Sequence, residues 1–188
     1  MPRKKEYTED EVIKKAMHLF WKNGYETTSM KMLEQEMGVN KFSIYSSFGS
    51  KDGVFIECLK AYKKELSAIT SKLKTSENGV LGIKQYFYDF LEFSKENNIP
   101  KGCLVTNSAV ELNKNCKPEI LNHLSGFTEH VKILFENNLY QEEKLDTVSI
   151  QEKTDYLIVS MFGLSSASKV FSKNQLDIYI ENIFKNIT

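Results

Sequence analysis

Proline is nearly missing from this chain, with three residues in 188, and glycine is scarce at nine. A turn-rich β fold needs more of both, so their scarcity favours long helices. Cysteine occurs three times, at Cys58, Cys103 and Cys116, far apart and odd in number. That excludes a disulfide framework and suits reduced thiols in a cytosol. No apolar run approaches the length of a membrane span. The basic start "MPRKKEYTEDEV" has no apolar stretch behind it, so no secretory leader and no membrane are expected, and the chain reads as cytoplasmic. Net charge is also lacking: Lys+Arg and Asp+Glu both total 25, which excludes a uniformly basic nucleic-acid coat.

What is present is a globular composition, 41% hydrophobic and 27% charged, in a chain long enough for a substantial core. Charge is mildly uneven. Residues 1–51 hold nine Lys/Arg against seven Asp/Glu, an excess of two that the remainder offsets. Four of the seven acids fall in or just before the first helix, at its dipole-positive end.

Helical periodicity runs through the chain. Thr8 and Glu11 form a capping box ahead of Val12, Ile13, Ala16, Met17, Phe20 and Trp21, and Gly24 ends that helix. "TTS" at 27–29 caps a second helix with Met30, Leu33 and Met37, ended by Gly38. A short third helix spans about Lys41 to Ser47. From Ser50 a helix of about 24 residues would span about 35 Å. "NNIPKG" (97–102) breaks the next helix, and "CLVTNSAVEL" (103–112) forms a small-residue one. Pro118 opens a long helix holding Ile120, Leu124, Val131 and Phe135. "QEEKLDTVS" (141–149) reads as a loop. "TDYLIVSMFGLSSASKVF" (154–171) is apolar nearly all round, so both sides need cover. In the last helix Leu176, Tyr179, Ile180, Ile183, Phe184 and Ile187 form one stripe. This pair is expected to make a homodimer interface through Met161, Leu164, Ala167, Tyr179, Ile180, Ile183 and Phe184; the alternative is a fully buried helix in a monomeric bundle.

The fold expectation is all-α, with about nine helices: a three-helix helix-turn-helix domain over 1–50 and a helical ligand-binding and dimerisation domain over 51–188. In such a motif the second helix lies in the major groove. The third helix suits that place. Val39, Ile44 and Phe48 anchor it. Outward stand Lys41 for phosphate or guanine, Ser43, Ser46 and Ser47 as hydroxyl partners, Tyr45 for phosphate, and Phe42 for a thymine methyl. The N–H groups near Asn40 and Lys41 can face phosphate. The alternative is a generic pair of helices with a polar surface.

The stretch "AMHLFWKNGYETTSMKMLEQEMGVNKFSIYSSFGSKDGVF", within residues 8–60, resembles the DNA-binding domain of the TetR family of bacterial repressors. Phe20, Gly24, Tyr25, Thr28, Gly38, Val39, Tyr45, Phe48 and Lys51 fall on the family's pattern, whereas Phe42 stands where a small residue is usual. The resemblance implies phosphate contacts from Thr28, Tyr45 and Lys51, an approach to base or phosphate from Lys31, and base-edge contacts from Lys41, Phe42 and Ser46. It also implies a homodimer on a palindromic double-stranded operator, acting as a repressor released by a small-molecule inducer held in the second domain. An activator remains the alternative. Arg3, Lys4 and Lys5 resemble arms that enter a minor groove; a solvated terminus is the competing reading.

"KGCLVTNSAVEL" (101–112) resembles a "GCL…E" segment in a subset of these regulators. One member senses electrophiles through a cysteine at the place of Cys103. A helix start and Lys101 would favour a thiolate there; a small buried hydrophobe is the alternative. Asn107 is expected inside a pocket walled by Tyr86, Phe90, Cys103 and Phe127. Enzyme chemistry is not expected, because no phosphate loop, nucleophile triad or supported acid pair exists. His123 and His130 lie two turns apart, so neither a metal nor any other cofactor is implied.

Overall fold

The computed structural model describes residues 8–96, 99–112 and 116–187. Arg3, Lys4 and Lys5 lie outside the described residues. The fold is all-α, with nine helices among the described residues.

Helix α1 (Glu9–Asn23) starts on the expected capping box. The Thr8 hydroxyl accepts the Glu11 N–H and the Glu11 carboxylate accepts the Thr8 N–H, both at 3.3 Å. Val12, Ala16, Met17 and Phe20 all turn inward. Helix α2 (Met30–Met37) is capped by Ser29 and ends at Gly38, whose left-handed φ of 70° suits glycine. Asn40 caps α3 (Lys41–Phe48), and Val39 and Ile44 are buried beneath it. Ser50 caps α4 (Lys51–Lys74), a helix of 24 residues and so about 36 Å long.

One flank of α4 packs on α1, where Phe20 meets Phe55 edge-on at 4.9 Å. Farther along it packs on α7 (Pro118–Leu139), with Tyr62 against Phe127 at 6.3 Å. Helix α5 (Gly79–Phe93) brings Phe87 against Phe135 of α7 and edge-on to Phe184 of α9 (Lys173–Lys185), at 5.9 and 5.2 Å. Between α5 and α6 (Leu104–Leu112) the chain forms a two-residue antiparallel ladder, β1 (Lys95–Glu96) on β2 (Ile99–Pro100), where a plain break was expected.

Helix α8 covers Thr147–Ala167, starting seven residues before the expected Thr154. Asp146 accepts the Ser149 N–H at 2.8 Å and supplies the cap that "QEEKLDTVS" conceals.

The dimer-face expectation needs correction. Met161, Leu164, Ile180, Ile183 and Phe184 are buried in the subunit's own core, and Ala167 is half-buried; of the seven residues expected there, Tyr179 is exposed. The reason is that the periodic stripe of α9 is the face that packs on α5. The apolar side left open on α8 is Tyr156, Val159, Gly163 and Ser166, and on α9 it is Ile178 and Tyr179.

Candidate nucleic-acid interface and inner cavity

Helix α3 is eight residues long, with Ile44 fully buried and one broad outward face. Lys41, Phe42, Tyr45 and Ser46 share that face, and Ser43 is half-buried at its edge. Phe42 is 82% exposed, an apolar ring that nothing among the described residues covers. The Lys41 ammonium lies 5.7 Å from the centre of the Tyr45 ring. Lys31 is exposed on α2.

The start of α3 is already occupied. The Asn40 side-chain oxygen accepts the Ser43 N–H at 2.8 Å, and a Glu34 oxygen accepts the Lys41 N–H at 2.9 Å. Thr28 is not brought to this surface. It is buried, and its hydroxyl donates to the Gly24 carbonyl at 2.6 Å, closing the α1–α2 turn.

Lys51 sits at the start of α4 with its ammonium 4.3 Å from the centre of the Tyr25 ring and 3.4 Å from the Glu26 carbonyl oxygen. Next to it the Tyr25 hydroxyl donates to Asp52, which also pairs with Lys117 at the foot of α7. Burial and then the Asp52 carboxylate push the Tyr25 hydroxyl up, so it stays protonated. Burial works to raise the Asp52 carboxyl, but the Lys117 ammonium and the Tyr25 hydroxyl outweigh it and hold it below its usual value. Sequence reasoning missed this cluster, because Asp52 and Lys117 meet only in three dimensions. It also missed Glu34, whose seven-residue separation from Lys41 follows no single-helix rule.

The second site is internal. Tyr86 and Phe90 of α5, Cys103 just before α6, Val105 and Thr106 of α6, Phe127, Thr128 and Val131 of α7, and Ile158, Met161 and Phe162 of α8 enclose a cavity of about 20 Å³. That is room for about one water. Four of the five expected pocket residues therefore meet here. Asn107 does not: its amide donates to the Lys101 carbonyl at 2.9 Å and its oxygen accepts from Lys169 at 3.0 Å, away from the cavity. Cys103 is 3% exposed; its N–H donates to the Ser165 hydroxyl at 2.8 Å, and its sulfur accepts from the Tyr62 hydroxyl at 3.3 Å. Burial pushes the Tyr86 hydroxyl up and keeps it neutral.

Among the described residues no group of His, Cys, Asp and Glu is arranged to hold a metal ion, and no helix is long and apolar enough to cross a membrane.

Residues 12–58, from the middle of α1 into α4, match the family of bacterial regulatory proteins named tetR. The chain belongs to the TetR family. It is accordingly a transcriptional regulator and not an enzyme. Among relatives of this TetR-family chain, the HTH-type transcriptional regulator YezE of Bacillus subtilis is 24% identical over 176 residues, 90% of each chain. The HTH-type transcriptional repressor ComR of Escherichia coli is 30% identical over 112 residues, covering 58% of this chain and 53% of ComR. A cysteine mutant of the TetR family transcriptional regulator CifR, complexed with 26-bp double-strand operator DNA, superposes with a TM-score of 0.84 at 23% identity, over 97% of this chain and 98% of that one. Reduced NemR of E. coli gives 0.78 at 17% identity, over 95% and 94%. These likenesses show a shared fold.

Proposed function

We propose that this regulator is a cytoplasmic repressor that binds a palindromic operator as a homodimer and lets go when a small molecule enters the second domain. Residues 1–50 form the reading head and residues 51–188 the sensing and pairing body. The observation that carries this reading is the outward face of α3. A soluble helix gains nothing in stability from an uncovered phenylalanine beside a lysine and a tyrosine, whereas a major groove offers a thymine methyl and phosphates to all three. Lys31, exposed on α2, is assigned to base or phosphate; Tyr45 and Lys51 are assigned to phosphate, and Lys41, Phe42 and Ser46 to base edges. The Thr28 hydroxyl is spent on the turn, so Thr28 serves the interface by holding α2 rather than by gripping phosphate.

Pairing is assigned to the open side of α8 and α9 around Tyr156, Val159, Gly163, Ser166, Ile178 and Tyr179, whose exposed apolar groups a second subunit would cover. The inducer is assigned to the inner cavity, which must widen to take anything larger than water. Release then follows from the inducer favouring a spacing of the two heads that misfits successive major grooves, about 34 Å apart. Repression rather than activation agrees with the names of ComR and of IcaR of Staphylococcus aureus, a negative transcriptional regulator 20% identical over 138 residues. Cys103 is assigned to packing, since its sulfur is buried against Tyr62.

Fluorescence anisotropy on the DNA upstream of the chain's own coding region tests this reading. The wild type should bind at about 10⁻⁸ M or tighter. Lys51→Ala should weaken binding and, by removing one phosphate-neutralising cation, lower the slope of log K against log salt by about one. Phe42→Ala should leave that slope alone and relax discrimination at the base pair it meets, by at most the roughly 1–3 kcal/mol that one mismatched pair costs. A wild type that binds a broad pool of genomic fragments no better than random duplex would sink the reading.

A further inference from the structure

The turn between α1 and α2 is held from outside its own domain. The backbone N–H groups of Tyr25 and Glu26 both donate to the carboxylate of Glu111, at 2.8 Å each, one to each oxygen. Glu111 lies one residue short of the end of α6, 86 positions away from Tyr25. Gly24 permits the approach: its φ is +83°, and a Cβ there would stand 2.7 Å from a Glu111 oxygen. A carboxylate exposed on a helix surface has water for a partner, so a two-pronged seat on two N–H groups is a specific placement.

The other end of α6 is tied to the same helix. The Trp21 ring N–H donates to the Gly102 carbonyl at 3.1 Å. Between the two ties, Cys103, Val105 and Thr106 face the inner cavity. The start of α6 is also fixed to α8, through the Cys103 N–H on Ser165. A rod of nine residues therefore has one flank on the cavity and both ends on the reading head.

We propose that Glu111 is a positioning residue for DNA binding: its carboxylate, seated on the N–H groups of Tyr25 and Glu26, sets the orientation of the reading head, and a displacement of α6 by an occupied cavity withdraws it. The DNA arm of this proposal rests on the operator-binding reading above; the seat itself does not.

The sign of the effect separates positioning from surface electrostatics. Glu111→Gln and Glu111→Ala each remove a negative charge, which on charge alone tightens binding to any DNA. Positioning has the opposite outcome. On the full chain, Glu111→Ala should speed hydrogen exchange at the Tyr25 and Glu26 amides on the order of 10-fold, while α1 amides such as Phe20 stay protected. Operator affinity should fall by on the order of 10-fold, as for a typical coupling between sites. The salt slope should stay unchanged, because every cation that meets a phosphate is retained. Glu111→Gln, which keeps one acceptor oxygen, should fall between and remain folded if the alanine variant does not. Unchanged exchange at both amides overturns the seat. Freed amides with equal or tighter operator binding overturn the positioning role. A wild type without operator binding sinks the DNA reading and the positioning role together, while the exchange experiment still decides whether the seat exists.

Discussion

Val159→Lys puts the pairing surface to a direct test. Val159 is 71% exposed in the subunit, so its replacement removes little packing. Lysine is a good helix former, and Asp155 one turn earlier is already paired with Lys132 at 2.7 Å, so the replacement neither disrupts the helix nor gains a new ion pair. The subunit's own stability should therefore move by less than about 0.5 kcal/mol. Pairing should not be spared. Fully burying a valine side chain is worth about 1.5–3 kcal/mol, of which about 1–2 remains to be gained from the exposed share. A two-fold interface counts the residue twice, giving about 2–4 kcal/mol. That is a dimer constant weaker by about 30- to 700-fold, before any cost of desolvating two ammonium groups. Sedimentation equilibrium across a concentration series reads the constant, and thermal unfolding of the separated subunit reads the rest. A dimer of wild-type strength would place the interface elsewhere. A monomer whose own fold has collapsed would mean that Val159 belongs to the core.

Leu164 lies five positions on and gives the opposite pattern. It is fully buried in the subunit, so Leu164→Ala should cost about 2–5 kcal/mol and lower Tm by about 5 to 20 °C. Asp52→Asn removes the partner of Lys117 and Tyr25. The Asp52 carboxyl is held below its usual value in the folded chain, so its contribution is complete above the unfolded value of about 3.9 and disappears as pH falls through the folded one. The stability gap between wild type and variant should be constant above about pH 5 and close on further acidification, as followed by chemical denaturation. A gap that widens in acid would contradict the assignment. Phe127→Ala should enlarge the inner cavity enough for benzene, seen as a ligand-dependent rise in Tm that the wild type does not show.

Helix starts were the most legible feature of the sequence, because caps are local. Thr8, Ser29, Asn40 and Ser50 each precede a helix as their side chains require. The cap at Asp146 was overlooked because the first turns of α8 are polar and carry no apolar period. Which partner covers an apolar stripe is a different kind of question. The i, i+3, i+4, i+7 pattern of α9 shows that Ile180, Ile183 and Phe184 share a face; nothing in the spacing says that α5 rather than another subunit lies against it. The outward face of α3 was legible for the same reason as the caps, being eight residues long. The cavity wall was legible in part. Tyr86, Phe90, Cys103 and Phe127 meet there, but Asn107 turns the other way to bond Lys101 and Lys169, a choice fixed by contacts distant in sequence. Glu111 was visible only as the last letter of a short pattern; the N–H groups that receive it are 85 and 86 residues away.

The carboxylate of Glu34 on the Lys41 N–H bears on how a repressor of this kind would spend its time among competing sequences. A helix start left open grips any phosphate through neutral N–H groups, a hold that depends little on salt and not at all on the bases. Here two of those groups, the N–H of Lys41 and of Ser43, are taken up inside the protein, and the chain as a whole carries no net charge. Adhesion to arbitrary DNA then falls mainly to a few cationic side chains. Since a genome offers about 10⁶–10⁹ wrong sites for each right one, weak adhesion to the wrong ones leaves more copies free to find the operator, and a small number of molecules per cell is enough to keep it occupied.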